Sequence, residues 1–203
     1  ADCWEEIIRT AHDVGIPSTA TIMYGHVDEP KHWAAHIALL REIQKDTGGF
    51  TELVPLSFVH TDSPLFLNNP NSVRPGPTDH EVDLMHSVSR IMLNGFIDNI
   101  QVSWTKLGAE RARNMLSLGV NDLGGTLMNE SISRSAGSKH GQEITAAELC
   151  EIIRSAGRTP VRRNTIYKTI DIYKDHDPID VIPLVERKSD PLNFLKMFPE
   201  TEE

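Results

Sequence analysis

Between residues 18 and 157 a strand-like run followed by an amphipathic helical pattern recurs four times, and each helical pattern stops at a glycine: Gly48, Gly95, Gly119 and Gly157. A leading helix precedes them, with Trp4, Ile7, Ile8 and Ala11 at i, i+3, i+4, i+7 spacing and Gly15 at its C-cap. The strand-like runs are STATIMYG (18–25), FTELVPLSFVH (50–60), NIQVSW (99–104) and NDLGGTLM (121–128). Pro30 opens a helix striped by Trp33, Ile37 and Leu40, and Thr78 with Glu81 forms a capping box before Val82, Met85, Met92 and Leu93. Ala109, Ala112, Met115 and Leu116 mark the next helix, and Thr145 with Glu148 caps the last, which carries Leu149, Ile152, Ile153 and Ala156. The order α(βα)₄ predicts an α/β fold whose parallel strands are joined by right-handed crossovers.

Two stretches break the rhythm. Residues 60–77 contain four prolines and predict a loop longer than a compact domain keeps without a use, such as a lid. After Tyr167 no period is sustained, and an irregular tail that wraps the surface is expected. That tail is acidic: of the net charge of −9, residues 171–203 supply −5, with nine acidic and four basic residues. Such acidity disfavours a nonspecific grip on nucleic acid phosphates. No apolar run approaches the ~18 residues that span a bilayer, and ADCWEEIIRT lacks the basic start and apolar stretch of a secretory signal. The expectation is a cytoplasmic chain with neither nucleic acid nor membrane as partner. Its two cysteines, Cys3 and Cys150, stand too far apart for a disulfide framework or a local three-cysteine site, so no metal ligands are assigned.

Strand parity then separates candidate site residues from core. In a β/α barrel the outward face of each strand meets helices, and functional groups gather inside near the C-terminal ends. In 99–104, Ile100, Val102 and Trp104 take the helix side, leaving Gln101 and Ser103 inside. In 18–25, Thr19, Thr21 and Met23 oppose Ala20, Ile22 and Tyr24; in the fourth run Thr126, Met128 and Glu130 oppose Leu127. These polar groups either bond one another in a filled interior or line a polar ligand pocket; packed barrels favour branched apolar residues inside, so the pocket is expected. A strand-end carboxylate is costly to bury, so Glu130 meets a ligand, a donor or a metal, or pairs with Arg134. His26 and His60 follow the apolar cores of their strands, at catalytic or loop positions. His32 and His36 share a helix face without the Glu of a zinc-protease helix, and read as surface or packing residues. Pro55 inside a strand predicts a bulge or an edge.

The runs MYGHV (23–27), HWAAHIALLREIQKDTGGFTELVPLSFVH (32–60), NIQVSWTKLG (99–108), NDLGGTLMNESISRSAG (121–137) and GRTPVRRNTIY (157–167) resemble the C-terminal half of a radical S-adenosylmethionine enzyme family. The branch they resemble is the tyrosine-adding half of deazaflavin (FO) synthase, with aminofutalosine synthase and the dehypoxanthine futalosine cyclase as similar relatives. The resemblance implies the C-terminal half of a TIM-type (β/α) barrel over residues 1–167, with about four βα units, plus an acidic, proline-containing extension over 168–203.

It also implies a transferase that joins the hydroxybenzyl part of tyrosine to 5-amino-6-ribitylaminouracil, using S-adenosylmethionine and a 4Fe-4S cluster. The family's cluster motif, C-x-x-x-C-x-x-C, is absent from this sequence. The expected partners are therefore the missing N-terminal half-barrel, without which the chain is expected to be inactive, and the second FO synthase subunit or domain. In this frame His26, His60, Gln101, Ser103, Thr126 and Glu130 are the expected substrate-binding residues, and Met23, Pro55 and Leu56 approach the adenosyl group. Arg163, Thr165 and Tyr167 match the family pattern QR-T-T-x-Y, whereas Arg162 and Asn164 depart from it. Two alternatives stay open: an aminofutalosine-type enzyme of menaquinone biosynthesis, and a non-catalytic half-barrel that binds.

Overall fold

The computed structural model describes residues 2–127, 130–140 and 143–174. Helix α1 (Asp2–Asp13) leads into strand β1 (Ser18–Tyr24), helix α2 (Pro30–Thr47) and strand β2 (Phe50–Ser57). Short helix α3 (Pro64–Asn68) and longer α4 (Asp79–Leu93) follow, then α5 (Trp104–Leu107), α6 (Ala109–Met115), α7 (Ile132–Ser135) and α8 (Ala146–Ser155). The hairpin β3 (Val161–Arg163) and β4 (Thr169–Ile172) ends the described chain. Strands β1 and β2 pair in parallel, and Leu53↔Ile100 and Gln101↔Asp122 continue the parallel array as isolated bridges. The chain is a mixed α/β fold, and the four segments lie side by side in sequence order.

Alternation in β1 places Ala20, Ile22 and Tyr24 in the core and leaves Thr19, Thr21 and Met23 exposed. Against that buried face pack Trp33, Ile37, Leu40 and Ile43 of α2 and Val82, Met85 and Leu93 of α4. Both capping boxes form: Thr78 with Glu81 starts α4, and Thr145 with Glu148 starts α8. Each satisfies backbone donors that a helix start would otherwise leave open.

The third and fourth strands are far shorter than expected. Leu53 exchanges hydrogen bonds with the third segment, donating to the Asn99 carbonyl (2.9 Å) and accepting from Gln101 N–H (2.9 Å). The next rung would need an N–H from residue 55, and Pro55 has none. The ladder stops there, and Trp104, expected as the strand's last residue, opens α5 instead. In the fourth segment the Asp122 carboxylate accepts the Gly124 N–H at 2.5 Å, with Gly124 at φ 73°, so a side-chain turn replaces the ladder after Asp122. Pro55 itself is buried within β2 opposite Ile22; the irregularity in register falls between Ser18 and Thr19.

Three further expectations are corrected. In α1, Trp4 and Ile7 stay exposed, and the buried residue is His12, held between the hydroxyls of Thr47 (2.7 Å) and Ser18 (2.8 Å). Residues 60–77 contain a helical turn, α3, and are tied down where the Arg74 N–H donates to the His26 carbonyl and where Arg74 pairs with Glu81. The stretch after Tyr167 is not irregular throughout, because β4 pairs antiparallel with β3. The rest of the expected tail, residues 175–203, and Met128 lie outside the described residues.

Candidate functional site

Parity and register together build one polar face. Thr19 aligns with Glu52, Thr21 with Val54 and Met23 with Leu56, and Gln101 and Asp122 continue the row across the bridges. Near the N-terminal ends of the strands this face carries a tight charged cluster. The Arg163 guanidinium donates to the Asp122 carboxylate at 2.5 Å and to the Tyr167 hydroxyl at 3.1 Å, and lies 3.8 Å from the Glu52 carboxylate. Its carbon sits 3.9 Å from the centre of the Tyr167 ring, a cation–π distance. Tyr167 donates its hydroxyl hydrogen to Glu52, which also accepts from Thr19 at 3.1 Å.

Burial and the neighbouring Glu52 and Asp122 carboxylates both push the Tyr167 phenol well above its ordinary value, despite the opposing Arg163. For Arg163, burial opposes its charge, and the hydrogen bond to Asp122 together with the charges of Asp122, Tyr167 and Glu52 outweighs that cost. The hairpin that holds both residues is thus pinned across the sheet by charge-assisted bonds.

Beside the cluster lies a cavity of about 590 Å³, lined by Gln101, Ser103, Thr105, Gly124, Arg163 and Asn164 among others. A β-carbon on Gly124 would stand 2.9 Å from the Gln101 amide nitrogen, so the backbone approaches that side chain as closely as glycine allows. Gln101 offers one acceptor and two donors at this wall. The Ser103 hydroxyl meets that of Thr105 at 3.1 Å. Two expected substrate contacts, Gln101 and Ser103, therefore share this cavity. Thr126 is exposed beyond it, on the wall of a larger groove.

The remaining candidates sit at the C-terminal ends of the strands. His26 lies with its Nδ1 3.1 Å from Asp28, edge-on to Phe58. Asp28 organises this turn by accepting the N–H groups of Gly25 (2.9 Å) and His26 (2.8 Å) and the indole N–H of Trp33. Burial pushes that carboxyl up, but the donated hydrogen bonds outweigh it and hold it below the usual range. His60 stacks edge-on to Phe66 of α3. The loop after β2 reaches the loop before α8 where Asp62 N–H donates to the Ala136 carbonyl at 3.0 Å.

Glu130 accepts the backbone N–H groups of Ile132 and Ser133 at the start of α7 (3.0 and 2.9 Å). Nearby, Lys106 donates to the Ser133 hydroxyl at 3.3 Å; burial lowers its pKa, and the Glu130 charge opposes that shift. Met23 and Leu56 are neighbours on the polar face, whereas Pro55 aligns with Ile22 on the opposite side of the sheet.

Glu52, Asp122, Arg163 and Tyr167 form the cluster that strand parity alone passed over. The one signal was an acidic residue, Glu52, at an inward-facing strand position; its partners lie up to 115 residues away. The described residues do not fit an iron–sulfur cluster, which takes several thiolates. Cys3 is exposed on α1, Cys150 is buried on α8, and among the described residues no three His, Cys, Asp or Glu side chains converge. Nor, among them, is any helix long and apolar enough to cross a membrane.

A family model described as the CofH/MqnC C-terminal region matches residues 47–176. An FO synthase from Mycobacterium leprae (strain TN) is 56% identical over 164 residues, covering 81% of this chain and 19% of that protein. The 5-amino-6-(D-ribitylamino)uracil--L-tyrosine 4-hydroxyphenyl transferase of Methanopyrus kandleri is 51% identical over 173 residues, covering 85% of this chain and 46% of that one. An FO synthase from Nocardia farcinica is 51% identical over 184 residues, 91% of this chain and 21% of its own length. The chain spans less than half the length of each of these relatives.

Proposed function

Because the chain belongs to the CofH/MqnC C-terminal-region family, we propose that it forms the substrate-holding part of a transferase that joins the hydroxybenzyl group of tyrosine to 5-amino-6-ribitylaminouracil. Relatives about 50% identical that carry that substrate pair or FO synthase in their names support this reading. The observation that carries it is the cavity in which Gln101, Ser103, the Gly124 backbone and Arg163 set polar groups among the apolar side chains of Val102, Trp104 and Leu123. Amide, hydroxyl and backbone groups of this kind suit a ribityl chain and a uracil edge, which offer donors and acceptors in alternation.

In this proposal residues 1–167 make the C-terminal half of a TIM-type barrel and residues 168–203 an extension to it. The parallel order of the four segments supports that architecture. His26, His60, Thr126 and Glu130 stand at or beyond the strand ends, where they would close the mouth over bound substrate and exclude water. Met23 and Leu56, adjacent on the open face, are the residues of this chain that would border S-adenosylmethionine. The cluster that cleaves S-adenosylmethionine is assigned to polypeptide outside the described residues, in the half-barrel that completes the site. Activity is accordingly expected only when that half is present, in the cytoplasm. A second FO synthase subunit or domain is a further proposed partner.

The test is anaerobic iron–sulfide reconstitution of the longer polypeptide carrying this sequence, assayed with tyrosine plus 5-amino-6-ribitylaminouracil and, separately, with the menaquinone precursors. Product from the first pair is expected, and Glu130→Gln is expected to reduce it at least tenfold. Turnover of the menaquinone precursors alone would replace this reading with the aminofutalosine one. Undiminished turnover by Glu130→Gln would remove that residue from the site.

A further inference from the structure

Lys106 stands on α5, just past the third segment, where its N–H donates to the Ser103 carbonyl at 3.1 Å. Its chain neighbour Thr105 lines the same cavity as Gln101 and Ser103. The Lys106 side chain is half-buried, and burial opposes its charged form while the Glu130 charge favours it. Among the described residues it makes no ion pair, and its ammonium donates to the Ser133 hydroxyl at 3.3 Å. An ammonium has three donors, so the others are open to a ligand. A desolvated cation in this state calls for an anion.

Ser133 also fixes the opposite charge. Its backbone N–H donates to Glu130 Oε2 at 2.9 Å and to Oε1 at 3.0 Å, and the Ile132 N–H donates to Oε1 at 3.0 Å. Oε1 is thereby filled, whereas Oε2 keeps a lone pair. One buried residue thus holds an ammonium at its hydroxyl and a carboxylate at its amide, and the two charges form no salt bridge with each other. The loop that carries Glu130 and Ser133 is fastened back to α5, because Ser138 donates its hydroxyl hydrogen to the Thr105 carbonyl at 3.0 Å.

We propose that Lys106 and Glu130 together hold the head group of an α-amino acid, its carboxylate on Lys106 and its ammonium on Glu130. Such a head group carries two opposite charges on one carbon, and the pair anchored on Ser133 presents their complements side by side. A salt bridge between Lys106 and Glu130 would close the site; their separate anchors keep it open. Charge-assisted hydrogen bonds at both ends give the ligand its affinity and its orientation beside the cavity. The inference rests on the proposed function, which supplies two molecules with this group, tyrosine and S-adenosylmethionine. It adds Lys106 to the site and gives Glu130 a definite ligand.

Equilibrium dialysis of labelled tyrosine and labelled S-adenosylmethionine against the reconstituted longer polypeptide reads binding without turnover. Lys106→Met and Glu130→Gln are each expected to raise the dissociation constant of the same one of these ligands about tenfold or more, leaving the other within about twofold. The weakened ligand names the occupant, and the unmoved one shows that the variant is folded. Lys106→Arg, which keeps the charge, is expected to retain affinity within about threefold. Dissociation constants unmoved by Lys106→Met would overturn the proposal, as would a parent protein that binds neither ligand. So would equal loss of both ligands in Lys106→Met and Lys106→Arg, the mark of a structural role. Product formation from tyrosine and 5-amino-6-ribitylaminouracil is assayed in the same preparations. Its absence from the parent protein would contradict the functional reading, while the dialysis still decides the head-group site.

Discussion

At the scale of single residues, the group most tightly bound to the sheet is Arg163. Its partner Asp122 has a side chain only 9% exposed, so the ion pair is close to buried and loses little to solvent screening. Replacing it by leucine leaves Asp122 and Glu52 without a counter-charge, at a cost of roughly 3 kcal/mol. Arg163→Lys keeps the charge but cannot span Asp122, Tyr167 and Glu52 at once, and is expected to cost about 1–2 kcal/mol. Urea denaturation followed by circular dichroism checks both; a lysine variant as stable as the parent would show that the fork geometry contributes nothing. The residues of this cluster were legible individually, since Arg163 and Tyr167 belong to the resemblance motif and Glu52 faces inward by parity. Their convergence was not, because a single sequence carries no record of which distant side chains meet. Gln101 and Ser103 were the easier case: two residues apart on one strand, parity alone puts them on the same wall.

At the scale of elements, helices were read more accurately than strands. The capping boxes at Thr78 and Thr145 are local arrangements of four residues, so they form wherever the motif occurs in the right context. Strand length depends on a neighbour: Pro55 on β2 ends the pairing of a segment 46 residues further on, at Gln101. The junction between β1 and α2 shows the same dependence. Gly25 has φ 92°, and a β-carbon there would lie 2.4 Å from Pro77 of the long loop. Gly25→Ala therefore combines backbone strain with a clash against a rigid ring and should destabilise by about 2–4 kcal/mol. Gly157, at φ 70° with nothing within 4 Å, gives the control. There alanine meets only the left-handed backbone penalty, about 1 kcal/mol. Equal midpoints for the two variants in urea would mean that the loop yields freely to β1.

At the scale of the whole molecule, the sum of buried titratable groups sets the response to pH. Burial holds His12, His36 and His86 below their ordinary 6.5, and the Nε2 of His86 finds no partner among the described residues. Asp83 and Arg111 face His86 with opposing effects smaller than burial. Below pH 6.5 the unfolded chain takes up protons that the folded chain refuses, so stability present above 6.5 is lost as pH falls. A second loss follows below pH 4.5, where Glu81, held low by Arg74, and Glu148, held low by the Thr145 N–H, would have to protonate. Urea midpoints should therefore drop from pH 7.5 to 5.5, and His86→Leu should shrink that drop; an unaltered difference would remove His86 from the account.

Periodicity, caps and motifs are encoded within a few consecutive residues, so the order of the four parallel segments, the buried faces of β1, α2 and α4, and the family are legible without coordinates. Where the ladders end, which acids Arg163 holds and which candidates share a cavity emerge from the folded chain. Those outcomes depend on distances between residues far apart in the chain, set by packing and by hydrogen-bonding groups that must find partners once water is excluded.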